Sequence, residues 1–300
     1  MSAMGPGGEM PGSLYGGTRV GATVLRIMLG TQLRRFREAA GITPDQAGYE
    51  IRASRSKISR LEHGRVGFKD RDVTDLLTLY GVTDEQVRAA MLALAKQANT
   101  SDWWAKDVDI LPDWFDTYLG LEAAASLIRS FELQFVHGLF QTEDYARAVT
   151  SLGHRAICPE DIERRVSLRM KRQDLLIGAD PPRVWSVMDE AALRRPIGGH
   201  EVMRGQLNRL IDVADMPQVT LQVVPFRRGG HTAAGGSFTI LRFDAPDLPD
   251  VVYIEQLTSA LYLDRHTDVD DYREVMNRLG AEALTPADST DFLHEMIKEV

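Results

Sequence analysis

The sequence predicts two domains of different class, an all-α domain of five helices followed by an α/β domain. Residues 24–98 carry apolar side chains at three- and four-residue spacing between short breaks, the period of amphipathic helices. After residue 100, short apolar runs alternate with helical segments, as strands and helices do in an α/β unit. A chain of 300 residues is also longer than one small helical module needs.

Residues 1–20 are rich in Gly, Pro, Ser and Met without periodicity, and read as a disordered leader that buries too little surface to offset ordering. A first helix over 24–40 places Leu25, Leu29, Leu33 and Phe36 on one face. Thr43 suits an N-cap and Pro44 the first position of a second helix over 44–51, with Ala47 and Ile51 inward. Ser54 caps a third helix that turns Ile58 and Leu61 inward, and Gly64 closes it in the left-handed conformation. Arg55, Ser56, Lys57, Ser59 and Arg60 line its other face. A fourth helix over 69–80 buries Val73, Leu76, Leu77 and Tyr80 and stops at Gly81, and Thr83 caps a fifth over 84–98. Residues 99–102 mark the boundary, giving domains 21–99 and 100–300.

A helix that is apolar on one side and bears cations and hydroxyls on the other can pack on a partner helix while reaching base edges and phosphates in a major groove. The solvated face of a plain helical hairpin carries the same charges. The order of cap, turn, cap, basic face and glycine stop is what selects the helix-turn-helix.

On Gly41-Ile42-Thr43, Ser54-Arg55-Ser56 and Ile58-Ser59-Arg60-Leu61-Glu62 followed by Gly64, the segment 25–80 resembles the Xre (Cro/C1-type) regulators, which have the λ-repressor-like fold. The resemblance implies base-reading roles for Arg55, Ser56 and Arg60. It implies backbone contacts for Ser54, Lys57, Ser59 and the segment His63 to Arg65, and a structural ion pair between Arg37 and Glu62. Two positions depart from the family pattern. Pro44 replaces a glutamine that touches the DNA backbone, and Arg52 replaces the glycine of the turn, where a positive φ costs on the order of 1 kcal/mol.

Charge is divided between the domains. The chain carries a net -8, but residues 1–100 hold 14 Lys+Arg against 10 Asp+Glu and residues 101–300 hold 21 against 33, a net +4 and a net -12. The basic part suits a polyanion and the acidic remainder repels it. The single cysteine, Cys158, excludes an internal disulfide and a cysteine-cluster metal site. No apolar run approaches a membrane span, and a cytoplasmic, nucleoid-associated protein without cofactor or metal is expected.

In the second domain, Trp103-Trp104 and Leu111-Pro112-Asp113-Trp114-Phe115 form an aromatic cluster whose acidic surroundings favour packing over base stacking. The segment 124–135 mixes signals, with Leu127, Arg129, Phe131, Leu133 and Phe135 alternating as in a strand and a start that also reads as helix, and Thr142 caps the next helix. A long helix over 160–177 packs Ile162, Val166, Met170 and Leu175 and is expected to expose Arg164, Arg165, Arg169, Lys171 and Arg172. Strands are expected at 183–188, 219–224, 236–243 and 251–255, the last extended through Tyr262 and Leu263, with helices at 200–213, 269–284 and 288–299.

Four segments carry a second resemblance: Gly138-Leu139-Phe140-Gln141-Thr142-Glu143-Asp144-Tyr145-Ala146, Arg169-Met170-Lys171-Arg172-Gln173, 188–195 and Val223-Val224-Pro225-Phe226. They resemble the uncharacterised domain that follows Xre-type modules in actinobacterial regulators, including WhiJ-like developmental proteins; His137 stands where that pattern has proline. The resemblance implies a transcriptional regulator; because one recognition helix reads only a few base pairs, a homodimer on operator DNA is expected. In some relatives the resemblance implies an antitoxin-like protein paired with a small neighbouring-gene product.

Two constellations invite an enzymatic reading. Asp189-Glu190 beside Arg194-Arg195 offers paired carboxylates, although acids at that place also cap a short helix. The loop 229–237, with Gly230, His231, Gly235, Gly236 and Ser237, sits between strands in an order similar to half of a phospholipase-D-type domain. That chemistry needs a lysine two residues after the histidine, and Ala233 stands there instead. The loop is therefore read as a candidate ligand or partner surface, the α/β domain as at most a degenerate phospholipase-D-like one, and the chain as not an enzyme.

Overall fold

The computed structural model describes residues 21–112, 114–153, 158–233, 235–245 and 248–300. The leader 1–20, Asp113 of the aromatic cluster and Ala234 of the glycine loop lie outside the described residues.

Five helices open the chain: α1 (Ala22–Ala39), α2 (Pro44–Glu50), α3 (Arg55–Glu62), α4 (Asp70–Leu79) and α5 (Glu85–Ala98). Leu29, Leu33, Ala47, Ile51, Ile58, Leu61, Val73, Leu76, Leu77 and Tyr80 make one core, as their spacing requires. Leu25 and Phe36 are only partly covered. The cap of α5 is Asp84 and not Thr83: its carboxylate accepts from both Gln86 N and Val87 N. An ionised oxygen one residue closer outcompetes the threonine hydroxyl for donors that also sit at the positive end of the helix.

The boundary at 99–102 is tied down. Asn99 accepts from Phe68 N at 3.0 Å and donates back to Phe68 O at 2.5 Å. Asp102 caps α1, accepting from Ala22 N and from the Thr23 hydroxyl, each at 3.0 Å. Trp104 is buried against Leu119 and Leu168 and donates to Asp116 at 2.6 Å, so this part of the aromatic cluster packs.

The second unit contains α6 (Phe115–Ala124), β1 (Leu127–Glu132), α7 (Glu143–Ser151), α8 (Pro159–Arg172), β2 (Arg183–Asp189), α9 (Glu190–Arg194), α10 (His200–Ala214) and β3 (Val219–Val224). It is completed by β4 (Phe238–Arg242), β5 (Val251–Glu255), β6 (Ala260–Leu263), α11 (His266–Glu282) and α12 (Pro286–Glu299). The six strands form one mixed sheet in the order β3-β2-β1-β4-β5-β6. β1, β2 and β3 run parallel, whereas β4, β5 and β6 pair antiparallel onto the β1 side. Tyr262 and Leu263 therefore belong to a separate strand folded back on β5, not to an extension of it, because residues 256–259 close a turn through Gln256 N to Ser259 O.

Both faces of the sheet are covered. Ile128, Val184 and Leu221 point to one core, which α10 and α12 help to close; Phe131, Val187 and Val252 point to the other, under α11. Helix α6 has no polar stripe: Tyr118, Leu119, Gly120, Leu121 and Glu122 are all buried, which is why its sequence shows no amphipathic period. The long helix expected over 160–177 ends at Arg172, followed by a 3₁₀ turn over Gln173–Leu176.

Helix α1 belongs to both units. Its C-terminal half packs in the helical core, but Val24 is buried in the second unit's core, with Ile27 and Met28 packed against it. A Cβ added at Gly120 would stand 2.2 Å from Thr23 Cβ, so α6 lies almost backbone-to-side-chain on α1. Replacing Gly120 by Ala must push the helices apart and should destabilise by about 1–3 kcal/mol. Thermal unfolding checks this, and an unchanged midpoint would mean that the two helices do not meet closely.

His137 is buried beside the Glu122–Arg172 pair, and burial pulls its imidazole down to about 4 from 6.5, against the attraction of Glu122. The folded protein holds it neutral while the unfolded chain protonates first, so stability is lost as pH falls from about 6.5 toward 4. His137→Asn should flatten that part of the stability profile. A profile identical to that of the native chain would place the proton uptake elsewhere.

Candidate nucleic-acid interface

The helix-turn-helix is built by local capping. Thr43 accepts from Gln46 N while the Gln46 side chain accepts from Thr43 N, a reciprocal box that the Thr-x-x-Gln spacing signals. Ser54 accepts from Lys57 N and starts α3. Gly64 has φ +65, and a Cβ there would lie 2.6 Å from Ile27 N, so glycine is required by conformation and by space. Arg52 has φ 53 and is the one non-glycine residue of positive φ among those described. The turn thus keeps its left-handed geometry with an arginine in place, at a cost of about 1 kcal/mol.

With Ile58 and Leu61 buried, α3 presents Arg55, Ser56, Ser59 and Arg60 to solvent, flanked by Ser54, His63 and Arg65. Arg55 comes no closer than 3.8 Å to its acidic neighbour Asp45, and both side chains are largely exposed. His63 Nδ1 lies 2.6 Å from Ser59 O. Lys57 differs from this group: its ammonium donates to Asp72 at 2.7 Å, and it is half-buried. Arg65 is exposed but stands near Tyr262 of β6, whose phenol is pushed up by burial and by Glu255 and pulled back by that guanidinium. Tyr49, at the end of α2, is 87% exposed, the largest such value for a large hydrophobic side chain among the described residues. Nothing in periodicity marks it, because it lies off the apolar stripe.

Behind α3, Arg37 donates to Glu62 through Nε at 2.5 Å and through the second terminal nitrogen at 3.0 Å, and its remaining nitrogen donates to Ile42 O at 2.9 Å. Arg37 is 7% and Glu62 8% exposed. The fork-on-fork pair joins α1 to the end of α3, and the Glu62 hydrogen bond holds Arg37 above its ordinary pKa.

The remaining candidates occupy the second unit. His231 is turned inward: Nδ1 accepts from Ala233 N at 3.3 Å, Nε2 lies 3.5 Å from Asp189, and the ring packs edge-on against Phe131. Gly230, Gly235 and Gly236 have open space around them, and Ser237 accepts from Leu133 N at 3.1 Å. Asp189 caps α9 by accepting from Ala191 N at 2.7 Å. Glu190 accepts from Arg194 and from Phe226 N, so this carboxylate pair is committed to structure. Arg169 and Arg172 are not exposed as expected. Arg172 is buried on Glu122 through two hydrogen bonds of 2.8 and 2.7 Å, a partner hidden in a helix whose period was not legible. Among the described residues no cluster of three or more His, Cys, Asp or Glu could hold a metal ion, and no helix is long and apolar enough to cross a membrane.

Fold and capping together define a helix-turn-helix protein carrying an α/β domain. Residues 28–90 match the family model of a helix-turn-helix domain. Residues 115–295, more than half of the chain, match the model described as Domain of unknown function (DUF5753), and the chain belongs to that family. No curated protein and no solved structure matches it.

Removing one partner of the buried pair leaves an uncompensated charge. Glu62→Ala should destabilise by about 3–5 kcal/mol, whereas Glu38→Ala, which breaks the exposed pair with Arg34, should cost less than about 1 kcal/mol. Denaturant melts of the two variants check the contrast, and equal midpoints would contradict it.

Proposed function

We propose that the chain is an Xre-type, sequence-specific DNA-binding transcriptional regulator, with 21–99 as its DNA-binding domain and 100–300 as a domain that responds to a ligand or partner. The observation that carries the reading is the two-sided α3: apolar side chains locked into the core, and Arg55, Ser56, Ser59 and Arg60 exposed on the other side. Arg55 and Arg60 read base edges, since a guanidinium matches the acceptor pair of guanine. Ser54, Ser59, His63 and the exposed Tyr49 contact the phosphate backbone. Arg37 and Glu62 hold the helix in place and do not touch DNA. Because Lys57 is already paired with Asp72, its contribution to phosphate binding is smaller than its position suggests. One recognition helix reads few base pairs, so the chain binds as a dimer to two half-sites.

The antitoxin-like reading, in which a small neighbouring-gene product docks on the second domain, draws on the exposed Leu257 and Leu261 of the β5–β6 hairpin. A hydrolase centred on His231 has less support, because that ring is mostly enclosed and its Nδ1 already accepts a backbone hydrogen bond.

Arg55→Ala and Arg60→Ala should each weaken binding to a selected site by about 1–3 kcal/mol and relax preference at one base position. Lys57→Ala should act mainly on thermal stability. Anisotropy titrations across salt concentrations check both. Binding of the two arginine variants at native affinity would remove α3 from the interface.

A further inference from the structure

A cleft of about 510 Å³ opens at the C-terminal ends of β1 and β5, where the sheet changes from parallel to antiparallel pairing. Its size suits one small molecule, and the strand order also reverses there, between β1 and β4, the place beside strand carboxyl ends at which open α/β sheets bind ligands. Phe115 and Tyr118 of α6, Phe238 of β4 and Tyr253 of β5 form aromatic walls.

Two ionisable groups in this cleft lack the partner that their charged forms require. The carboxyl of Glu132, at the end of β1, closes no hydrogen bond or ion pair with a described residue. Burial, with Glu255 across the cleft adding to it, pushes this carboxyl up to about 8. Arg169, on α8, donates only to Gln141 Oε1 at 2.9 Å and has no carboxylate within ion-pair distance among the described residues. Burial, helped by neighbouring Arg172, pulls its guanidinium down to about 10. Arg172 provides the contrast, being fully matched by Glu122, which also accepts from the Tyr118 hydroxyl at 2.8 Å. Tyr253 is 5% exposed, and its hydroxyl, with Glu255 nearby, closes no hydrogen bond of ordinary geometry. Buried charges in folded proteins are normally paired. Here an acid and a guanidinium share one cavity and touch neither each other nor another counter-charge.

We propose that this cleft binds a small zwitterion of amino-acid type. Its ammonium group sits between Glu132 and Glu255 and its carboxylate on Arg169, with the side chain against the aromatic walls. A ligand carrying both charges completes both sites at once, whereas a simple anion or cation leaves one of them unmatched. The inference deepens the regulator reading by naming a site and a ligand class. Its link to that reading is α6, which lines the cleft through Phe115 and Tyr118 and presses on Thr23 of α1 through Gly120.

The test uses the full chain in thermal-shift and calorimetric titrations against each of the standard L-amino acids and a set of dipeptides. The expected result is saturable binding by at least one of them, lost when its amine is acetylated or its carboxylate is esterified. Glu132→Gln and Arg169→Met should each weaken that binding by about thirtyfold or more, the scale for truncating one partner of a buried charge pair. Preference for the dipeptide over the free amino acid would identify a peptide end as the natural source of the same chemistry. No binding by any zwitterion, or equal binding by the acetylated and esterified derivatives, would overturn the proposal without needing a variant that folds. DNA binding measured on the same preparation separates the two ideas. DNA binding without ligand binding removes this inference alone, and ligand binding without DNA binding removes the regulator reading and leaves the cleft.

Discussion

The contact on which the arrangement depends is the seat of α1 between two cores. A surface helix of a small domain usually buries one stripe. Here the stripe is divided along the length of the helix, with Leu29 and Leu33 in the helical core and Val24 in the core of the sheet domain. Asp102 satisfies the first donors of α1 from the far side of the boundary, and Gly120 lets α6 approach as closely as backbone permits. The connection is therefore a shared element and not a tether. Any displacement of α6 has to be accommodated by α1, and α1 carries Arg37, which grips Glu62 at the end of α3.

The same contact limits how the N-terminal domain behaves when isolated. A chain ending at residue 99 lacks Asp102 and exposes Val24, Ile27 and Met28, so its α1 loses a cap and an apolar cover together. The charge division has a structural side as well. Several arginines of the acidic domain are engaged by carboxylates, as Arg147 is by Glu143, Asp144 and Glu163, and Arg164 by Asp107, Asp109 and Asp161. They offer little to a polyanion. The cations of α3 face solvent with few competitors, Lys57 excepted.

How much was legible in the sequence follows from how local each cause is. The helices of the first domain and the caps Thr43, Ser54 and Thr142 depend on neighbours within four residues, and their positions could be read directly. Strands β3 and β5 begin and end where their apolar runs do. Helix α6 could not be read, because burial on all sides erases periodicity. The inward turn of Arg172 was hidden for the same reason, since its acid partner Glu122 lies 50 residues earlier, on that helix, and Arg169 turns in toward Gln141. The engagement of Lys57 by Asp72, and of His231 by Asp189 and Phe131, likewise depends on long-range packing that no spacing rule encodes. The candidate DNA face was legible in composition and order, while its margins at Lys57, Arg65 and Tyr49 were set by tertiary contacts.

The most direct measurement is backbone hydrogen exchange on the intact chain with and without duplex DNA at low salt, where electrostatic binding dominates. DNA should slow exchange at the start of α3 and in the segment after it, within residues 54–65, and leave the sheet domain unchanged. Protection confined to the sheet domain, with residues 54–65 exchanging as in the free protein, would contradict this expectation.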